Sequence, residues 1–347
     1  MKKKLFIRAD ASEKIGIGHL MRCLALGQAW KDAGGKVIFI TVCQTEGLLQ
    51  HLKAENFEII LIPDKHPNPS DWRSTKNIIN NYANTWVVLD GYHFDTSYQK
   101  RIKDLEHRLL VVDDMAHLKH YYADIMLNQN LYAHELNYCC EPYTKLFLGT
   151  KYVLLRREFL KWQGWKRKIS KIASKLLISM GGTDPENVTY KVIQALQKVE
   201  IKGLEAKVAV GGSNPHHEKL QLAIRNSRFP ISLEENVTKM DELMAWADMA
   251  ISAGGSTCWE LAFMALPNLI LIWTDNQQSI AARLETAGAA LNLGWHENVS
   301  FTDIAQAVKK LLSSVELRAK MAQSGRAMVN GKGVSRVMTT LARIKKT

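Results

Sequence analysis

A chain of 347 residues is longer than one hydrophobic core ordinarily serves, and its 46% hydrophobic and 23% charged residues exclude a disordered or collagen-like polymer, so two α/β domains are expected. The formal net charge of +12 suits nucleic acid, an anionic surface or an anionic small molecule. The basic residues are scattered without a nucleic-acid motif and no stretch is long enough to span a bilayer, so no nucleic-acid partner and no membrane insertion are expected.

The opening lysines run straight into Leu5-Phe6-Ile7-Arg8 with no apolar signal core behind them, which makes a cytoplasmic chain the expectation. The five cysteines agree with a reduced compartment: only Cys139-Cys140 are adjacent, in no metal-ligand spacing. Leu5-Phe6-Ile7, Val37-Ile38-Phe39-Ile40, Glu58-Ile59-Ile60-Leu61-Ile62, Trp86-Val87-Val88-Leu89 and Leu109-Leu110-Val111-Val112 read as buried parallel strands. Between the first two, Leu20, Cys23, Leu24 and Gly27 mark one face of a helix that Gly34-Gly35 ends. This alternation is βαβ grammar and implies a parallel sheet.

Between Leu148 and Lys175 the pattern gives way to an aromatic and basic stretch, from Arg156-Arg157 through Trp162 and Trp165 to Lys168. The domains are therefore placed at 1–155 and 172–325, with 156–171 as a linker. A terminal helix, 326–347, has a return to the first domain that the sequence leaves open. The second half repeats one theme, an apolar run, a Gly-Gly pair, a small polar residue and a helix: Ile178 to Thr183, Val208 to Ser213 and Ile251 to Thr257. Its irregular period marks successive βα turns of one sheet.

Gly16-Ile17-Gly18-His19 sits between the first strand and the first helix, where glycines admit a ligand to the backbone and a helix start favours an anion. The motif is not a dinucleotide fingerprint, because Met21 occupies the place of the third glycine, and no classical NAD site is expected. Histidine titrates near neutrality, so His19 at the carboxyl edge of a sheet is a candidate general base; the alternative is a capping or surface histidine. The three Gly-Gly turns, with hydroxyls from Thr183, Ser256 and Thr257, suit a pyrophosphate, although tight turns and capping alone would select the same residues. Glu260, one turn into its helix, suits ribose hydroxyls or merely complements the helix dipole. Thr274-Asp275-Asn276-Gln277-Gln278 ends an apolar strand with amides for sugar hydroxyls or N-acetyl groups, or with a helix cap at Asn276. In Asp90-Gly91-Tyr92-His93, at another strand end, Tyr92 either donates a hydrogen bond to substrate or packs in the core. Asp113-Asp114 invites a metal, but no clustered histidines or further spaced carboxylate accompany it, so no metal is expected.

With these residues, the chain resembles the UDP-2,4-diacetamido-2,4,6-trideoxy-β-L-altropyranose hydrolase family of pseudaminic acid biosynthesis over nearly its whole length. The resemblance rests on Arg8-Ala9-Asp10-Ala11-Ser12 leading to Gly16-Ile17-Gly18-His19-Leu20-Met21-Arg22-Cys23-Leu24, on Gly181-Gly182-Thr183-Asp184-Pro185, and on Ser252 to Leu261 with Asp275-Asn276-Gln277. The second half is similar, more loosely, to the N-acetylglucosamine transferase of peptidoglycan synthesis, including Met244-Ala245-Trp246-Ala247-Asp248; the first loop departs from that family's longer glycine-rich segment.

The resemblance implies an α/β fold of GT-B type, two Rossmann-like domains whose parallel sheets face each other across a cleft. It implies water attack on an anomeric carbon, C–O cleavage with inversion and release of UDP, without cofactor or metal. His19 then activates water, and Tyr92 and Asn276 lie at the substrate. Asp10, Gly16, Gly18, Gly181, Gly182, Thr183, Gly255, Ser256, Thr257 and Gln277 contact substrate or UDP, Glu260 takes the ribose, and backbone near Val237 faces uracil. A UDP-sugar-dependent glycosyltransferase and an idle nucleotide-sugar-binding protein are the competing readings. The sequence leaves the acetamido pattern and the oligomeric state open.

Overall fold

In the computed structural model, which describes residues 3–12, 16–212 and 214–343, each apolar run of the first half becomes a strand of one parallel sheet. The strands are β1 (Lys4–Ala9), β2 (Lys36–Thr41), β3 (Glu58–Leu61), β4 (Trp86–Asp90), β5 (Arg108–Val112), β6 (Ile125–Asn128) and β7 (Lys145–Leu148), ordered β3-β2-β1-β4-β5-β6-β7. The last two are not among the runs read from the sequence: Ile125–Asn128 ends on an asparagine, and Lys145–Leu148 begins on a lysine and is exposed over its first two residues, so neither stands out as an apolar run. Helices α1 (Gly18–Asp32), α2 (Glu46–Ala54), α3 (Pro69–Ile79) and α4 (Thr96–Asp104) join the first five strands. Alternation along β1 divides the core: Leu5, Ile7 and Ala9 face α1, whereas Phe6 faces Tyr98 and Ile102 of α4.

The chain divides into two units, Met1–Arg157 with Gly331–Thr347, and Glu158–Asn330. The second holds β8 (Lys175–Ser179), β9 (Glu205–Val210), β10 (Ile231–Glu235), β11 (Met249–Ala253), β12 (Asn268–Ile272) and β13 (Ala290–Trp295), all parallel and ordered β10-β9-β8-β11-β12-β13. Its sheet is flanked by α6 (Val188–Leu196), α7 (His217–Arg225), α8 (Met240–Trp246), α9 (Thr257–Phe263), α10 (Gln278–Thr286), α11 (Phe301–Ser313) and α12 (Val315–Met328), following the short α5 (Arg157–Leu160).

Within the stretch 156–171, Arg156 and Arg157 stay with the first unit and the remainder is docked on the second. Trp162 Nε1 donates to Asp241 Oδ2 at 2.7 Å. The Arg167 guanidinium donates to the carbonyls of Met244, Ala247 and Met264, satisfying the open carbonyl ends of α8 and α9. After α12, the helix α13 (Gly333–Arg343) belongs to the first unit, where Val334, Val337 and Leu341 join the core beside α1. This covering explains why buried residues run around most of α1, from Leu20 to Trp30. No helix among the described residues is long and apolar enough to cross a membrane.

Candidate active site

Both sheets reverse their strand order beside their first strand, between β1 and β4 and between β8 and β11, and ligands of open α/β sheets bind at the carboxyl ends of such strands. In the first unit the register sets Ala9 against Asp90, so β1 and β4 end together. His19, in the first turn of α1, brings its Nδ1 to 2.6 Å from Asp90 Oδ1. Asp90 is fully buried. Arg22, one helical turn after His19 and on the same face, clamps the carboxylate with Nε on Oδ2 and Nη2 on Oδ1, both at 2.6 Å. Its Nη1 donates to Asp114 Oδ2 at 2.7 Å, and Asp114 also accepts from Tyr92 Oη at 2.8 Å and from Asn130 Nδ2 at 2.7 Å. The Tyr92 ring meets the His19 ring edge-on at 4.9 Å.

The charges in this network settle its protonation. Burial alone would raise the Asp90 pKa, but the Arg22 guanidinium and His19 outweigh it and hold the carboxyl far below the ordinary range. A carboxylate only accepts, so the 2.6 Å contact places the ring proton on His19 Nδ1 and leaves the lone pair on Nε2. Burial, and next the Asp114 carboxylate, push the Tyr92 phenol up, keeping it a neutral donor. The arrangement is a base whose tautomer is held by a buried acid, itself held by a cation.

Asp10 lies in a neighbouring network. Its Oδ1 accepts from Val42 N at 2.6 Å, its Oδ2 is 2.9 Å from His93 Nε2, and the buried Arg8 guanidinium bridges it to Asp71. Both oxygens are thus engaged by protein, and although burial opposes ionisation, His93 and Arg8 bring the Asp10 pKa down to about 2. Asp113 and Asp114 take different direct partners: Asp113 accepts from Met115 N, Ala116 N and Tyr121 Oη and sits 2.7 Å from His117 Nδ1. Among the described residues no group of three His, Cys, Asp or Glu is placed to hold a metal ion.

In the second unit the predicted residues gather at one carboxyl edge. Gly181-Gly182-Thr183 follows β8, Val237 follows β10, Gly255-Ser256-Thr257 follows β11 with Glu260 half-buried in α9, and Asn276 and Gln277 form a 3-10 turn after β12. Ser213 of the middle Gly-Gly turn lies outside the described residues. Two of the turns need glycine for packing: a Cβ on Gly211 would sit 2.4 Å from Gly182 O, and one on Gly254 would sit 2.9 Å from Gln277 Cβ. Gly255, by contrast, faces open space. The start of α6 is closed by its own acid, Asp184, which accepts from Val188 N and Thr189 N at 2.9 and 2.8 Å, whereas α9 has no side-chain cap. Gln277 is buried, its Oε1 held by Trp273 N at 3.1 Å, and Asn276 beside it is exposed.

His19 and Tyr92 are therefore brought into contact, and the nucleotide candidates share a second edge. Asp90, Arg22, Asp114 and Asn130 received no role in the sequence reading. The available signal was the His19-x-x-Arg22 spacing and an acid closing a wholly apolar strand, at Asp90.

Residues 176–337 match the glycosyltransferase family 28 C-terminal domain. Acinetobacter baumannii MurG matches with a TM-score of 0.66 at 16% identity, covering 99% of this chain and 100% of that one. A complex of S. aureus MnaA with UDP matches with a TM-score of 0.70 at 15% identity, covering 100% and 99%. The chain has the GT-B fold. Among sequences, this GT-B chain is 26% identical over 342 residues to the spore coat polysaccharide biosynthesis protein SpsG of Bacillus subtilis, covering 96% of each. It is 27% identical over 291 residues to a UDP-2,4-diacetamido-2,4,6-trideoxy-β-L-altropyranose hydrolase of Campylobacter jejuni, covering 82% of this chain and 97% of that one.

Proposed function

We propose that this GT-B chain hydrolyses a UDP-linked 2,4-diacetamido-2,4,6-trideoxy sugar, releasing UDP and the free sugar. The observation that carries the proposal is the Asp90–His19 pair at the switch point of the first sheet. His19 Nε2 takes a proton from water as the water oxygen bonds to the anomeric carbon. The C–O bond to the phosphate breaks with inversion, and UDP leaves with the electron pair. Asp90 and Arg22 hold the imidazole and stabilise its charged form, and Tyr92 donates at the sugar.

The second unit serves the leaving group. Backbone N–H groups at Gly181, Gly182, Gly255 and the uncapped start of α9, with Ser256 and Thr257, meet the diphosphate; Glu260 takes the ribose, backbone at Val237 faces uracil, and Asn276 addresses the acetamido groups. UDP is a good leaving group, so charge stabilisation replaces a strong general acid, and water activation is the main demand. No cofactor enters this scheme.

Hydrolysis is favoured over transfer because the hydrolase relative extends over 82% of the chain, whereas transferase relatives from Acidithiobacillus ferrooxidans match 46% of it. The test is incubation of the purified protein with candidate UDP-sugars in EDTA, without acceptor, followed by NMR of the anomeric signal. Hydrolysis yields UDP and free sugar of inverted configuration. A nucleotide sugar left intact until an acceptor is added would replace the proposal with a transferase. His19→Asn is expected to bind UDP normally and lose most turnover.

A further inference from the structure

A second nucleophilic cluster lies in the first unit, apart from the edge just described. Tyr121 and Cys140 form an isolated parallel bridge, with Tyr121 N donating to Cys139 O at 2.9 Å and Glu141 N donating to Tyr121 O at 3.3 Å. That pairing sets His120 between the two neighbours of Cys140. Cys139 Sγ is 3.4 Å from His120 Nδ1, and Glu141 Oε1 is 2.9 Å from His120 Nε2. The carboxylate only accepts, so Nε2 carries the ring proton and Nδ1 turns its lone pair to the thiol. The edge of the Tyr122 ring at 4.8 Å, and a 2.8 Å bond from Thr96 Oγ1 to the His120 carbonyl, hold the imidazole in place.

A thiol, a base and a third group orienting that base is the arrangement that activates a cysteine nucleophile. Accessibility agrees. Cys139 is exposed, while Cys23, Cys43 and Cys258 are buried. The adjacent Cys140 is differentiated: burial, and then the neighbouring Cys139, push its thiol up to about 11, so near neutrality it stays protonated and slow.

We propose that Cys139 is a site of S-thiolation by low-molecular-weight disulfides, activated by His120 and Glu141. The Cys139 proton passes to His120 Nδ1, and the thiolate attacks one sulfur of the disulfide. The S–S bond breaks, and the departing thiolate takes the proton from the imidazolium, leaving a mixed disulfide on the protein and one free thiol.

The experiment follows adduct formation by oxidised glutathione with intact-mass spectrometry, locates it by peptide mapping, and repeats the rates with iodoacetamide. The expected result is one adduct, at Cys139, formed at pH 6.5 about tenfold faster than on an unstructured cysteine peptide. Cys139→Ser abolishes it, Cys140→Ser retains it, and His120→Asn returns the rate to that of the peptide. The pH–rate profile of the unmutated chain tests the same point without any substitution. An activated pair keeps its iodoacetamide rate between pH 8 and 6.5, whereas an ordinary thiol slows about tenfold per pH unit. A peptide-like rate and profile, an undiminished rate in His120→Asn, or an adduct on Cys140 in the folded protein would overturn the assignment.

Discussion

Asp90 Oδ1 stands 2.6 Å from His19 Nδ1 where the order of the first sheet reverses. The two residues are 71 apart in sequence, and the acid is wholly buried. An acid in that position needs a cation, which Arg22 supplies, and its partner imidazole keeps one tautomer. The first three predictions bear on this network and its neighbours.

Asp90→Asn preserves shape but removes the charge that holds the imidazole. Turnover of the UDP-sugar should fall about 10²- to 10⁴-fold with KM little changed, as measured by initial rates of UDP release. An Asp90→Asn enzyme retaining a tenth or more of its parent's kcat would separate the pair from catalysis.

Arg22→Lys substitutes a point charge for a fork that spans Asp90 and Asp114. At least one buried carboxylate contact is lost, and the first unit should be destabilised by about 3 kcal/mol, read as a lower denaturant midpoint. An unchanged midpoint would mean that the clamp contributes nothing net.

Asp10 and Asp90 are both held below the ordinary carboxylate range despite burial, Asp10 at about 2 through His93 and Arg8. A folded value below the unfolded one means that the unfolded chain binds more protons in acid. The stability these pairs contribute is therefore present above about pH 4 and is lost as the pH falls below that toward 2. His117 has the opposite sign: its hydrogen bond to Asp113 raises its pKa against burial, so its contribution is complete below about pH 6.5 and disappears as the pH rises through the folded value. Urea midpoints across pH should show a shallower acid limb in Asp10→Asn and a flatter alkaline limb in His117→Asn; limbs identical to the parent's would refute the assignment.

Two glycines of the second unit should separate packing from binding. Gly211→Ala forces a Cβ against Gly182 O and should cost about 1–3 kcal/mol of stability. Gly255→Ala meets no neighbour, so stability should stay within about 0.5 kcal/mol, yet the methyl would stand where the diphosphate is proposed to approach the backbone. UDP titration calorimetry should show its affinity reduced about tenfold or more. Unaltered UDP affinity in Gly255→Ala would move the nucleotide elsewhere.

Much of the architecture was written locally. Four of the five apolar runs read in the first half lie buried in β1, β2, β4 and β5, because a strand covered on both faces must be apolar at every position and that shows within a few residues. The fifth became β3, an edge strand that is half exposed, with Leu61 at 56%, so it was not the buried strand expected. The glycine turn before His19 and the three Gly-Gly turns were equally visible, since a backbone that packs closely admits only glycine, as Gly211 and Gly254 demonstrate. Partnership was not visible. That Asp90 meets His19 depends on β4 lying beside β1, a choice of strand order that no local period encodes. The same holds for Arg167, which binds its stretch to the second unit through carbonyls 77 to 97 residues away. Short-range sterics and burial determine which segments become strands and turns; charge neutralisation in the interior is settled only when distant segments meet.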